Sequence, residues 1–203
     1  MNAKRLVCPN CLRPQATCIC GWVAPVRSAA EVLILQHPME VANAKNSGRL
    51  LHMCLPGSRL EAGEQFDAIA TQRRPVLLYP ETPGDRSLGI ASPPAFDPSW
   101  RAEQIALVVL DATWRKSRKM LYLSPELQAM PRLPLRDTPP SHYLIRKAHK
   151  PDQLSTLEAT AYALAQLEGD EHKYDALIGA FDRFIAQQQA LAEQGARGIS
   201  PGA

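Results

Sequence analysis

The chain has 203 residues, 45% of them hydrophobic and 21% charged, which suits one ordinary soluble domain with a small attachment. Its longest apolar run, Ile105 to Leu110, is far too short to span a bilayer, and no apolar stretch follows the charged start at Lys4 and Arg5; the expected place is the cytoplasm, with no membrane partner. A net charge of +3, from 23 Lys and Arg against 20 Asp and Glu, is too mild to indicate nucleic acid by itself.

The first feature along the chain is a cluster of four of the five cysteines, Cys8-Pro-Asn-Cys11 and Cys18-Ile-Cys20. A C-x2-C turn aims two thiolates at one centre, and a following C-x-C can close a tetrahedron around zinc. The intervening Leu12 to Thr17 has few large apolar groups, so a metal would supply stability that the segment lacks. A disulfide framework is disfavoured in a reducing compartment. Four thiolates leave no open position for water, so the metal role is read as structural. Cys54 stands apart and reads as a small buried hydrophobe.

Glu31 to Gln36 reads as a strand, followed by the polar segment Gln36–Glu40 and by a helix from Asn46 to Cys54, capped by Asn46 or Ser47. Pro75 to Tyr79 is a second strand, followed by the polar stretch Pro80–Asp85. Ile105 to Leu110 is a third strand, apolar throughout, as strands covered on both faces are. It runs straight into Asp111 and a helix from Thr113. In that helix Arg115, Arg118 and Lys119 fall at i, i+3 and i+4 and share a face, with no acid inside the run, which points to phosphate contact. A second basic cluster lies at Arg146–Lys150. Ser155 to Glu158 forms a capping box for a helix with Leu157, Ala161, Leu164 and Leu167 on one face, and a last helix over Lys173–Glu193 sets Leu177, Phe181 and Phe184 together. Strands alternating with helices imply an α/β domain with a mostly parallel sheet, whose ligands bind beyond the carboxyl ends of the strands. The polar segments after the three strands are therefore the expected site.

Asp111-Ala112-Thr113-Trp114 carries a D-x-T-W motif. With it, in order, come the cysteine cluster, Gln36-His37-Pro38-x-Glu40, Asn46-Ser47-Gly48-Arg49-Leu50, Leu78-Tyr79-Pro80, Tyr143-x-x-Arg146-Lys147 and Ser155-Thr156-x-Glu158-Ala159. Over nearly its whole length the chain thus resembles the DTW-domain family, in its bacterial aminocarboxypropyltransferase form. One departure is Ala112, where the family often has Gly; this matters only if that backbone needs a positive φ.

The resemblance implies a SPOUT-like fold, a mostly parallel sheet with a C-terminal knot that holds S-adenosylmethionine. It implies transfer of the donor's 3-amino-3-carboxypropyl group to N3 of a tRNA uridine, in the variable loop for most bacterial members. It implies segments 1–25 as the zinc motif, 26–194 as the catalytic domain and 195–203 as a flexible tail. Under it Asp111, Thr113 and Trp114 are the candidate catalytic residues, with Asp111 as acceptor of the N3 proton and Trp114 as a stacking face for a base. Donor binding is expected at Asn46, Arg49, Leu78, Leu110, Tyr143, Ser155 and Thr156, partly through N–H groups at the helix starts after Asn46 and Ser155. RNA contact is expected from Arg115, Arg118 and Lys119. His37 and Glu40 are further candidate site residues, although a satisfied loop histidine is the commoner case, and Glu158 reads as a cap. Two alternatives stay open: a SPOUT-like RNA methyltransferase and a non-catalytic zinc-containing RNA-binding module. The oligomeric state is open, a monomer included.

Overall fold

The computed structural model describes residues 6–81, 89–141 and 154–197. Among these residues five strands form one sheet: β1 (Glu31–Gln36), β2 (Arg59–Ala62), β3 (Arg74–Leu78), β4 (Ile105–Asp111) and β5 (Arg132–Leu133). Their order is β2-β1-β4-β3-β5, and every described pairing is parallel. Between them lie α1 (Pro38–Val41), α2 (Gly48–Cys54), α3 (Trp114–Leu123) and α4 (Pro125–Gln128), and after them α5 (Thr156–Glu168) and α6 (Asp175–Arg197).

The period-2 pattern of the central strands splits their side chains between two cores. Val32, Ile34, Leu107 and Val109 face α2, α5 and α6, while Leu33, Leu35 and Val108 face α3 and α4. The sheet is thus covered on both faces, as the unbroken apolar run of β4 requires. On α5 the stripe Leu157, Ala161 and Leu164 is fully buried, with Leu167 partly so, and on α6 Leu177, Phe181 and Phe184 are fully buried. Each buried Phe contributes about 1.5–3 kcal/mol by leaving water. The box that starts α5 is closed in both directions: Ser155 Oγ accepts from Glu158 N at 3.2 Å, and Glu158 Oε2 accepts from Ser155 N at 2.7 Å. Gly169, at φ +65, ends the helix in the left-handed conformation.

The structure differs from the sequence reading in several details. α2 begins at Gly48, two residues past Asn46, and Asn46 closes its start by accepting from Gly48 N at 2.9 Å. β2 and β5 carry no readable signal, since β2 is an edge strand with no buried residue and β5 has two residues. α6 continues to Arg197, into the expected tail. Among the described residues no helix is long and apolar enough to cross a membrane.

Candidate active site

β1 and β4 are neighbours whose chains depart in opposite directions. From β1 the chain passes outward to β2, and from β4 it passes over β3 to β5. Parallel sheets bind ligands in the crevice at such a switch point. Both strands end there on a polar side chain, and Gln36 and Asp111 are register partners.

Asp111 is 2% exposed and sits inside a closed set of hydrogen bonds. Its Oδ2 accepts from Gln36 Nε2 and Asn46 Nδ2, each at 2.7 Å, and its Oδ1 accepts from Thr156 Oγ1 at 2.8 Å. Asn46 Oδ1 accepts from Gln36 Nε2 at 3.1 Å, which ties the two amides together. Burial pushes the Asp111 carboxyl above the usual carboxylate range; the bonds from Gln36, Asn46 and Thr156 act against that rise, and the charge of Glu40 adds to it. The backbone of α2 comes so close that a Cβ on Gly48 would stand 2.3 Å from Asp111 Oδ2, so only glycine fits. Four elements therefore meet at one carboxylate: the ends of β1 and β4 and the starts of α2 and α5.

Both carboxylate oxygens of Asp111 are engaged, and the group is nearly closed to solvent. Oδ2 has two donors and Oδ1 one, the half-buried Thr156 hydroxyl, which is the most exposed partner of the carboxylate. Thr156, expected among the donor-binding residues, is thus the outward member of the hub. Three of the helix-start amides after Asn46 and Ser155 have partners: Gly48 N donates to Asn46 Oδ1, Leu157 N to Ser47 Oγ at 3.4 Å, and Glu158 N to Ser155 Oγ. Arg49 is turned away, donating to Asn10 O at 2.9 Å. Leu110 and Ser155 flank the hub as chain neighbours of Asp111 and Thr156, and Leu78 ends β3 beside β4. Tyr143 and the Arg146–Lys150 cluster lie outside the described residues, as does most of Pro80–Asp85.

Beyond Asp111 the chain turns outward into α3. Thr113 is the N-cap residue, without a side-chain cap bond, and its carbonyl accepts from Ser117 N at 2.8 Å. Ala112 is not at positive φ, so its methyl costs no backbone strain. Trp114 is not a core residue: it is 54% exposed and stacks one face on Tyr79, with centroids 5.2 Å apart and planes 12° apart. Tyr79 is buried, and the Arg132 guanidinium lies 5.8 Å from its ring centroid. Arg132 is itself fixed by donating to Leu127 O and Met130 O. The indole therefore rests on a rigid base, with half its surface open.

The basic run of α3 has acids to pair with after all, from elements that local sequence could not show. Lys119 Nζ lies 2.8 Å from Glu64 Oε2, and Lys116 Nζ lies 2.9 Å from the buried Glu40 Oε1. Lys119 and then His37 hold the Glu64 carboxyl below its usual range. His37 Nδ1 accepts from Met39 N and its Nε2 faces Glu64 Oε1 at 2.8 Å, so it is a satisfied histidine. Arg115 and Arg118 are exposed and have no ion pair among the described residues.

At the other side of α2 the four cysteine sulfurs lie within 4.8 Å of one another. The Cys8–Cys20 and Cys11–Cys18 separations are 3.6 and 3.8 Å, close to the edge of a zinc–thiolate tetrahedron, about 3.8 Å for bonds near 2.3 Å, and far beyond a disulfide. Backbone N–H groups of Cys11 and Asn10 pull the Cys8 thiol down to about 6, while burial and the neighbouring thiols push Cys20 up to about 12. Four thiols that compete for one negative charge are what a divalent cation would relieve. Cys8, Cys11 and the fully buried Ile19 belong to the same core as α2, α5 and α6. Cys54 is buried too, its sulfur accepting from Ala24 N at 3.4 Å.

A model of the DTW domain matches residues 5–189. The chain belongs to the DTW-domain family. It is 28% identical over 177 residues to tRNA-uridine aminocarboxypropyltransferase 2 of Mus musculus, covering 81% of this chain and 57% of that one. It is 25% identical over 187 residues to the Macaca fascicularis protein of the same name, covering 86% and 61%, and 29% identical over 178 residues to the Drosophila melanogaster one, covering 81% and 68%. The chain thus spans about three fifths of the first two relatives' length. No solved structure matches it. In this DTW domain the three motif residues part company: Asp111 closes the buried hub, Thr113 starts the helix, and Trp114 faces solvent. Gln36, Gly48 and Tyr79 stood in the motif segments of the sequence, and Gln36 in an expected site segment, but none had been given a role.

Proposed function

We propose that this chain moves the 3-amino-3-carboxypropyl group of S-adenosylmethionine to N3 of a uridine in tRNA, in the variable loop, and releases methylthioadenosine. The observation that carries this reading is the coincidence of the DTW aspartate with the switch point of the parallel sheet, in a family whose relatives bear that activity in their names. The donor supplies an electrophilic methylene next to a sulfonium. The chain's own residues have three tasks: to hold the uracil, to orient it and to take its N3 proton. The open face of Trp114 offers a stacking surface for a base, worth about 1–3 kcal/mol. Arg115 and Arg118 lie in the same turns of α3 and meet tRNA phosphates, with Lys119 joining them only by leaving Glu64. The Thr156 hydroxyl accepts the N3 proton while donating its own to Asp111 Oδ1, so Asp111 acts through Thr156. The raised proton affinity of Asp111 suits an acceptor.

Zinc on Cys8, Cys11, Cys18 and Cys20, a knotted SPOUT-like C-terminal half and a cytoplasmic location belong to the same proposal. The start of α5 at the ends of β1 and β4 supports the knot, because it brings the chain after β5 back against the sheet's centre. The segments 1–25, 26–194 and 195–203 remain the proposed divisions. The test is the nucleoside released when protein, donor and tRNA are incubated together. Methylthioadenosine is expected. S-adenosylhomocysteine would mark a methyltransferase, and no tRNA-dependent release would mark a non-catalytic RNA-binding module.

A further inference from the structure

The cysteine segment is joined to the catalytic end of the sheet by more than apolar packing. A knuckle forms around Cys8 and Cys11: Val7 bridges Pro14, Cys8 N donates to Arg13 O at 2.8 Å, and Leu12 N donates to Cys8 O at 2.9 Å. Leu12 closes it at φ 58, a left-handed conformation that a leucine adopts only where its surroundings demand it. Arg13 follows directly and is 9% exposed. Its guanidinium lies 4.9 Å from the centroid of Phe184, and its Nη2 donates to the backbone carbonyl of Asn46 at 3.0 Å. A second tie runs back, from Arg49 Nη2 to the carbonyl of Asn10 within the C-x2-C turn.

Asn46 is the residue that fixes Asp111. Its side chain bonds Asp111, Gln36 and Gly48 N at once. A planar amide with three partners loses them if its backbone turns, and Arg13 holds that backbone. We propose that Arg13 is a positioning residue, which makes the geometry of Asp111 depend on the folded, metal-loaded knuckle. Metal holds the C-x2-C turn, the turn presents Arg13, Arg13 holds Asn46, and Asn46 orients the carboxylate. This inference rests on reading the Asp111 hub as the reaction centre and the cysteines as a metal site. Loss of the Arg13 bond misorients the hub without removing any group that touches substrate.

The test compares Arg13→Met and Arg13→Lys in the full zinc-loaded chain. Three quantities are read: bound zinc, the NMR signals of the Gln36 side-chain amide, and single-turnover kinetics. Gln36 is the reporter because it bonds Asp111 and Asn46 but not Arg13. Arg13→Met is expected to keep its zinc, shift the Gln36 amide signals and lose roughly 10- to 100-fold in rate at saturating donor and tRNA, with KM for tRNA moving about two-fold or less. Arg13→Lys, which keeps a donor, should recover most of the loss. Unmoved Gln36 signals in zinc-loaded Arg13→Met overturn the proposal, and so does a full rate. If wild-type protein transfers nothing to tRNA while the Gln36 signals still shift, the link stands and the functional reading falls. Should Arg13→Met fail to fold, Arg13→Leu, which also lacks a donor, carries the same comparison.

Discussion

The hub around Asp111 and the outer turn of α3 begin three residues apart and are built on opposite principles. In the hub a carboxylate 2% exposed meets donors from three segments, and a glycine lets a helix backbone press against it. On α3, three residues further on, an indole stands 54% exposed beside arginines without acidic partners among the described residues. Buried polar networks that are fully satisfied are rigid and specify one geometry. Exposed cations and aromatic faces adapt to what docks on them and act through long-range attraction. In the proposed function, one short motif serves two tasks, with chemistry set by the inner end and RNA docking by the outer.

That division separates if the two ends are altered one at a time. The largest effect is expected from Thr156→Val, which keeps the shape of the side chain but removes the hydroxyl that bonds Asp111 Oδ1. Its single-turnover rate should fall by roughly two to four orders of magnitude, the usual worth of a positioned proton acceptor, while tRNA affinity stays near wild type. Thr156→Ser should keep most of the rate. A near-normal rate in Thr156→Val would show that the hub is scaffold alone. A smaller effect is expected at the outer end. Replacing Arg115 and Arg118 together with Ala should weaken tRNA binding and leave the rate of bound tRNA little changed. The slope of log affinity against log salt should fall by about 0.7–0.9 for each phosphate that is no longer neutralised. An unaltered salt slope would remove α3 from the RNA surface.

Much of the frame was legible because period and punctuation agree in it. The apolar run of β4, the capping box at Ser155 and the stripe of Leu177, Phe181 and Phe184 each signal one structure locally, and each is found. The cysteine spacing was equally local, and the four sulfurs meet. What escaped is what depends on residues distant in the chain. The pairing of Lys119 with Glu64 spans 55 residues and that of Lys116 with Glu40 spans 76, so a basic run with no acids inside it still found acids in space. The resemblance implied Asp111 as a proton acceptor, and no residue near it in sequence showed that it would be buried. Its burial comes from Gln36, Asn46 and Thr156, which lie 45 to 75 residues away. Likewise nothing near Thr156 in sequence reveals the carboxylate it touches.

The most direct measurement of the central claim is mass spectrometry of the nucleosides of tRNA after incubation with S-adenosylmethionine and either wild-type protein or Asp111→Asn. Asparagine can still accept from Gln36 and Asn46, and its amide can donate to Thr156, whose hydroxyl accepts as well as donates; the hub keeps its shape and loses its proton acceptor. The account predicts a uridine heavier by one aminocarboxypropyl group with the wild type and almost none with the variant, although both bind tRNA alike. Unmodified or merely methylated uridine with the wild type, or equal product from the two proteins, contradicts it.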